Sequence, residues 1–281
     1  MTRVIVHAGF HKTGTTSLQA FVETNREALR PWADVYLKRD LGRARYLGRL
    51  YGQRPWLARR LAFRHGFRAF LAGIPDARTI FISRESLSGM MPGNRRRRLP
   101  WRGGRGERLV RYERQAIALG HEMTAALRRR FGDGARIEFL FTTRKLEPWI
   151  YSLYRHILRT SALNDDFARF RADFAATPPL AEQARNIARA LPGTVLHISA
   201  LECARERPLG HGAMLLDLLG VPATRRARFR DAGHHHAGPS QALAERFLEM
   251  NRRTRPGRAL KEAKRTLYQR EQDRQRETDK R

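Results

Sequence analysis

Hydrophobic positions along the chain follow two alternating rhythms. Short aliphatic or β-branched runs occur at Arg3 to His7, Arg78 to Ser83, Ile137 to Thr143 and Thr194 to Ser199. Between them lie longer stretches in which apolar residues recur every three or four positions: Thr15 to Leu29, Arg45 to Ala72, Glu107 to Phe131, Glu147 to Thr160, Leu180 to Ala190, Ala213 to Leu219 and Gln241 to Asn251. A continuous run suits a strand covered on both faces, and the longer period is that of a helix with one face in a core. Strands separated by helices predict an α/β fold with a central parallel β-sheet flanked by helices. ADVYLKRD, 33 to 40, is a candidate for one more strand.

Two segments break the rhythm. GNRRRRLPWRGGRGE, 93 to 107, joins four consecutive arginines to Pro and several glycines and reads as a basic loop. From Arg252 onward the chain is highly charged and nearly without apolar positions, which predicts a solvated helix or disorder. With no internal repeat, the expected organisation is one domain over 1–251 and a basic tail over 252–281.

Composition adds size and partner class. A chain of 281 residues with 41% hydrophobic content can bury a real core. The net charge of +29 calls for an anionic partner: nucleic acid, a membrane surface, an acidic polysaccharide or a phosphorylated small molecule. Most of that charge is Arg, since Lys occurs only at positions 12, 38, 145, 261, 264 and 280. Cys203 is the only cysteine, which excludes an intrachain disulfide and a cysteine-built metal site. No run approaches the roughly 20 apolar residues of a membrane span, and no leader pattern opens the chain. These features predict a cytoplasmic protein, with peripheral attachment to an anionic membrane left open.

The chemistry concentrates in GFHKTGTTS, Gly9 to Ser17, between the first strand and the first helix. A glycine-bearing turn in that context presents backbone N–H groups and a helix N-terminus to an anion. Gly14 permits the turn, and Thr15, Thr16 and Ser17 add hydroxyls. In an ATP or GTP site a lysine follows the second glycine, and the next Ser or Thr holds Mg²⁺. Here Thr15 stands in the lysine's place and Lys12 lies two residues before Gly14. The candidate strands end as FISRE, FLFTTR and LHISA, so Glu85 is the one carboxylate near a strand end. Nucleotide kinase chemistry is therefore disfavoured, and the loop suits a shorter anion without a metal. A second constellation, TTRKLEPWIYSLYRHI, puts Arg144 at a strand end and Ser152 eight residues later, able to grip one phosphate from two sides.

Together the two segments resemble the sulfotransferases that use 3′-phosphoadenosine 5′-phosphosulfate (PAPS), particularly carbohydrate-type and bacterial members. HKTGTTSLQ is similar to the family's 5′-phosphosulfate loop, and Arg144 with Ser152 to its 3′-phosphate motif. Pro148 falls four residues after Arg144, whereas the family often has Pro two residues after that Arg. PSQALAERFLEMNR, 239 to 252, looks like the closing helix of bacterial relatives.

The resemblance implies a three-layer, P-loop-like fold and transfer of a sulfuryl group to an acceptor hydroxyl of a carbohydrate, glycolipid or polysaccharide, with no metal. It implies donor contacts from His11, Lys12, Thr13, Gly14, Thr15, Thr16, Ser17, Arg144 and Ser152. Charge develops on the oxygen between sulfur and the leaving phosphate, and Lys12 is the candidate cation there. Family members use a His or a Glu at a central strand end as base, which makes Glu85 the candidate. A base wants a raised pKa, whereas Arg84 beside it would lower it. The rival readings are a P-loop nucleotide kinase and a non-catalytic anion- or nucleic-acid-binding protein. His7 reads as a packed core histidine, and His11 as a contact to donor phosphate or acceptor. His234 to His236 cannot all face one metal ion. Arg95 to Arg98 lacks the aromatic readout of a nucleic-acid module, and Trp101 is either a sugar-stacking ring or a buried anchor.

Overall fold

Each continuous aliphatic run becomes a strand of one sheet. The computed structural model describes residues 1–96, 106–233 and 238–278. Within them β1 (Arg3–Gly9), β2 (Asp34–Tyr36), β3 (Thr79–Ser83), β4 (Arg136–Thr143) and β5 (Val195–Ala200) pair in the order β2-β3-β1-β4-β5, all parallel. Parallel neighbours need crossovers. These are α1 (Thr15–Thr24) and α2 (Arg26–Leu29) after β1, α3 (Ala44–Gln53) and α4 (Leu57–Ala72) after β2, and α5 (Glu113–Phe131) after β3. After β4 come α6 (Leu146–Thr160), α7 (Phe167–Ala172) and α8 (Leu180–Arg189). The chain continues past β5 as α9 (Leu201–Arg205), α10 (His211–Leu218), α11 (Ala223–Arg226), α12 (Gln241–Arg253) and α13 (Arg258–Thr278).

The strand order fixes where helices lie. The step from β1 to β2 runs one way along the sheet, and every later step runs the other way. Right-handed crossovers therefore put α1 on one face and α3, α4, α5 and α8 on the opposite face. On the first face Ile5, Phe81 and Leu140 pack with Leu18, Phe21 and Val22 of α1 and Leu215 and Leu216 of α10. On the second, α3 packs on α4, α4 on α5, and α5 on α8. Val4, Ile5 and Val6 are wholly buried, each worth roughly 2 kcal/mol of transfer free energy. The reversal of direction falls between β1 and β4, and open α/β sheets bind ligands outside the carboxyl ends of the strands at such a point.

The chain divides into two compact units, Met1–Leu146 with Pro178–His235, and Glu147–Thr177 with His236–Arg281. The sheet belongs to the first. In the second, Trp149, Phe170 and Phe174 form a buried aromatic group. Residues 258–278, where a solvated helix or disorder is predicted, form the helix α13 with Leu260 and Lys264 buried. The Lys264 ammonium donates at 2.7 Å to the Leu158 and Ser161 carbonyls and to Asn251 Oδ1, so all three of its protons are used. No helix among the described residues is long and apolar enough to cross a membrane.

Three helical expectations change. The stretch Arg45 to Ala72 is two helices, because the residue before Pro55 is driven out of the helical region and Arg54 sits at φ −146°, ψ 100°. The helix expected from Glu107 begins at Glu113, since Arg108 instead bridges Arg95 in antiparallel fashion and Leu109 N–H donates to the Asn94 carbonyl. Asn25 breaks the stretch Thr15 to Leu29 by turning its side-chain amide onto the Phe21 and Arg230 carbonyls. Trp101, Arg97 and Arg98 of the basic loop and His234 to His236 lie outside the described residues.

Candidate functional site

The loop begins with an irregularity. Between His7 and Gly9 the register of β1 against β4 slips, placing an extra residue, Ala8, in β1. Such bulges turn a strand end, and Ser88 Oγ–H donates to the Ala8 carbonyl. Gly9 (φ 116°), Lys12 (φ 67°) and Gly14 (φ 90°) then all have positive φ. For Lys12 this left-handed conformation costs about 1 kcal/mol, the kind of local strain that gathers at functional positions. Gly14 is required twice over: a Cβ there would also lie 2.3 Å from His211 Nε2 and 2.9 Å from Leu201 Cδ1.

Inside the turn, two of the hydroxyls are used by the loop itself. Thr13 and Thr15 both donate to the Phe10 carbonyl, at 2.6 and 2.8 Å, and both side chains are buried. Their hydroxyls hold the loop together and do not face outward, contrary to the expectation for Thr15. Thr16 is exposed and Ser17 half-buried at the start of α1. Within α1 the first amide with a helical acceptor is Leu18 N–H, which donates to the Gly14 carbonyl. The amides of Thr15, Thr16 and Ser17 precede it and have no carbonyl behind them in the helix, so they add to the positive end of its dipole.

A directed hydrogen-bond chain runs beneath the loop across three strands. The Gln19 amide donates to Ser83 Oγ at 3.3 Å, and Ser83 lies 2.7 Å from His7 Nδ1. His7 Nε2 is 3.3 Å from Thr142 Oγ1, which is 2.7 Å from Thr13 Oγ1. The Phe10 end is forced, since a carbonyl only accepts: Thr13 O–H donates to it, so Thr142 O–H donates to Thr13 and His7 Nε2–H to Thr142. Burial pulls the His7 pKa down to about 3, so the ring is neutral and Ser83 O–H donates to its Nδ1.

Glu85 stands just past β3 and against Gly9, whose added Cβ would sit 3.4 Å from the Glu85 Cα. Its Oε1 accepts from Arg84 Nη1 at 2.5 Å and its Oε2 from Gln19 Nε2 at 3.3 Å. Burial pushes its pKa up, but Arg84, His11 and these hydrogen bonds outweigh it and leave the carboxyl below the usual range. The raised pKa that a general base favours is therefore absent, and the carboxylate is ionised at neutral pH. His11 is also neutral, drawn to about 4 by burial against the pull of Glu85. Its backbone N–H donates to the Tyr112 hydroxyl at 3.0 Å, and its Nδ1 lies 3.0 Å from the same oxygen.

Tyr112 and His211 complete the cradle, and neither was identified in the sequence. Tyr112 is wholly buried, stacks on Phe10 with ring centroids 4.3 Å apart, and is anchored through its N–H to Gln183 Oε1. His211 Nε2–H donates to the Thr13 carbonyl at 3.1 Å, and burial pulls its pKa to about 4. Both come from segments about 100 and 200 residues downstream of the loop, so no local pattern marks them. A cavity of about 530 Å³, lined by Arg96, Arg108, Arg111 and Arg114 with Glu107 and Glu113, flanks Tyr112 in sequence.

His11, Lys12, Thr13, Gly14, Thr15, Thr16, Ser17 and Glu85 thus gather at the carboxyl edge of the sheet. Arg144 leaves β4 at that edge, three residues past Phe141, the strand partner of Gly9. Ser152 is buried in α6, in the second compact unit. No family model, no curated protein and no solved structure matches the chain.

Proposed function

We propose that the protein is a PAPS-dependent sulfotransferase acting on an acceptor hydroxyl, of a carbohydrate or glycolipid, in a reducing cytoplasmic compartment. The observation that carries the proposal is the loop itself. The amides of Thr15, Thr16 and Ser17 open α1 directly after β1, with Lys12 in a left-handed conformation on the same turn, and in this reading they make an anion cradle at the switch point of the sheet. In this reading the amides hold the 5′-phosphate and the Lys12 ammonium faces the bridging oxygen. The acceptor oxygen forms a bond to sulfur as the bond from sulfur to the 5′-phosphate oxygen breaks, and that oxygen keeps the electron pair. The proton passes to the Glu85 carboxylate. Arg144, at the end of β4, is assigned the 3′-phosphate.

A nucleotide kinase would need a lysine where Thr15 stands, and the Thr15 hydroxyl is committed to the Phe10 carbonyl. Calorimetric titration separates the two. 3′-Phosphoadenosine 5′-phosphate should bind without Mg²⁺, and Lys12→Ala should cut transfer of labelled sulfate by about 10²–10³-fold. Preference for ATP with Mg²⁺, or an unchanged rate in the variant, overturns the assignment.

A further inference from the structure

From Leu41 to Pro75 the chain has eight arginines and no carboxylate. The described residues expose eight large apolar side chains, and five of them, Tyr46, Leu50, Trp56, Leu57 and Leu61, lie in this same stretch. Exposed apolar residues scattered singly need no explanation, whereas clustering of this kind does. Four of the five crowd the elbow between α3 and α4. Leu57 (68% exposed) and Leu61 (43%) stand one turn apart on α4, and Trp56 (46%) precedes them. Leu50 lies in the last turn of α3, and its carbonyl accepts from Arg59 Nη1 of the first turn of α4, which holds the two helix ends together. The Arg54 and Arg59 guanidinium groups lie 5.3 and 6.0 Å from the Trp56 ring centroid.

We infer that this elbow docks the protein on an anionic lipid bilayer. A Trp and three leucines ringed by arginines match the headgroup boundary, where an indole and aliphatic tips enter the acyl edge while guanidinium groups meet phosphates. Charge complementarity selects the occupant. Glu122 of α5 takes up Arg60 and Arg64, and the rest of the stretch is positive. Nucleic acid would satisfy the arginines but gives Leu57 and Leu61 nothing. The inference stands apart from the transfer reading, although α3 also packs on the turn that carries Glu85: a Cβ on Gly48 would lie 2.1 Å from the Ser86 carbonyl.

The test is cosedimentation of the full chain with phosphatidylcholine vesicles made with and without phosphatidylglycerol. Binding should require the anionic lipid and keep a fraction that resists added salt. Trp56→Ser/Leu57→Ser/Leu61→Ser leaves every charge in place and should lower that fraction at least about tenfold. Brominated lipid should quench the wild-type emission, and Trp56→Phe should remove most of that quenching. Circular dichroism of the triple variant checks that its exposed substitutions leave the fold intact. Equal binding by parent and triple variant overturns the inference, as does quenching that survives Trp56→Phe. Binding to duplex DNA that depends on the same three apolar side chains would overturn it too.

Discussion

Glu138, near the start of β4, and Glu85, just past the end of β3, are both carboxylates held by arginine in the same sheet, yet their surroundings differ in kind. Glu138 has no exposed side-chain surface. Arg3 grips both of its oxygens at 2.6 and 2.8 Å, Arg136 adds a contact at 2.6 Å, and His197 Nε2 lies 2.7 Å away. Burial pushes its pKa up, and these partners carry it below the usual range. Glu85 keeps 20% of its side chain exposed and has one guanidinium and one amide. A carboxylate saturated by cations has no capacity left for a substrate. One that is half answered, at the edge of a cradle, can take a proton or a hydrogen bond.

That contrast can be broken by substitution. Glu138→Gln leaves Arg3 and Arg136 facing a neutral group in a buried setting and should cost about 3 kcal/mol of stability, read from urea denaturation. An unchanged midpoint would mean that the cluster contributes nothing. Glu85→Gln should alter stability by less than about 1 kcal/mol, because solvent reaches both members of the Arg84 pair. If Glu85 accepts the acceptor's proton, turnover should fall roughly 100-fold while binding of 3′-phosphoadenosine 5′-phosphate persists. Normal turnover in that variant would return Glu85 to the same class as Glu138.

The difference between these carboxylates was only partly legible in the sequence. The aliphatic runs gave four of the strands to within about two residues, because a strand covered on both faces has little freedom in composition. The loop was visible because glycine, lysine and hydroxyl residues cluster between strand and helix. What the hydroxyls do was not visible. Thr13 and Thr15 turn inward because Phe10 presents a carbonyl to both. The break at Pro55 had a local signal in the proline, and Tyr112 and His211 had none. Glu138 stood inside an apolar run, and its saturation depends on Arg3, paired through the sheet from 135 residues away.

Acid should separate the two ends of the sheet without any substitution. Beneath and beside the loop, His7, His11 and His211 are neutral in the folded protein, drawn by burial to about 3, 4 and 4. An unfolded histidine titrates near 6.5. Below that value the unfolded chain binds protons that the folded loop refuses, so stability is fully present above about 6.5 and is lost as pH falls toward 4. Each histidine contributes up to about 1.4 kcal/mol per pH unit within that window. Glu138 and Glu85 have depressed folded pKa values, so their share is present above the ordinary carboxylate pKa and lost only as pH falls through the lower folded values. Urea midpoints should therefore hold level from pH 8 to about 7 and decline from about 6.5 downward, before either carboxylate titrates. Hydrogen exchange should show the amides of β1 and α1 next to the loop opening first, since that end is held by rings that must stay uncharged. A midpoint that stays level down to about pH 5 would mean that these histidines titrate in the fold as they do outside it.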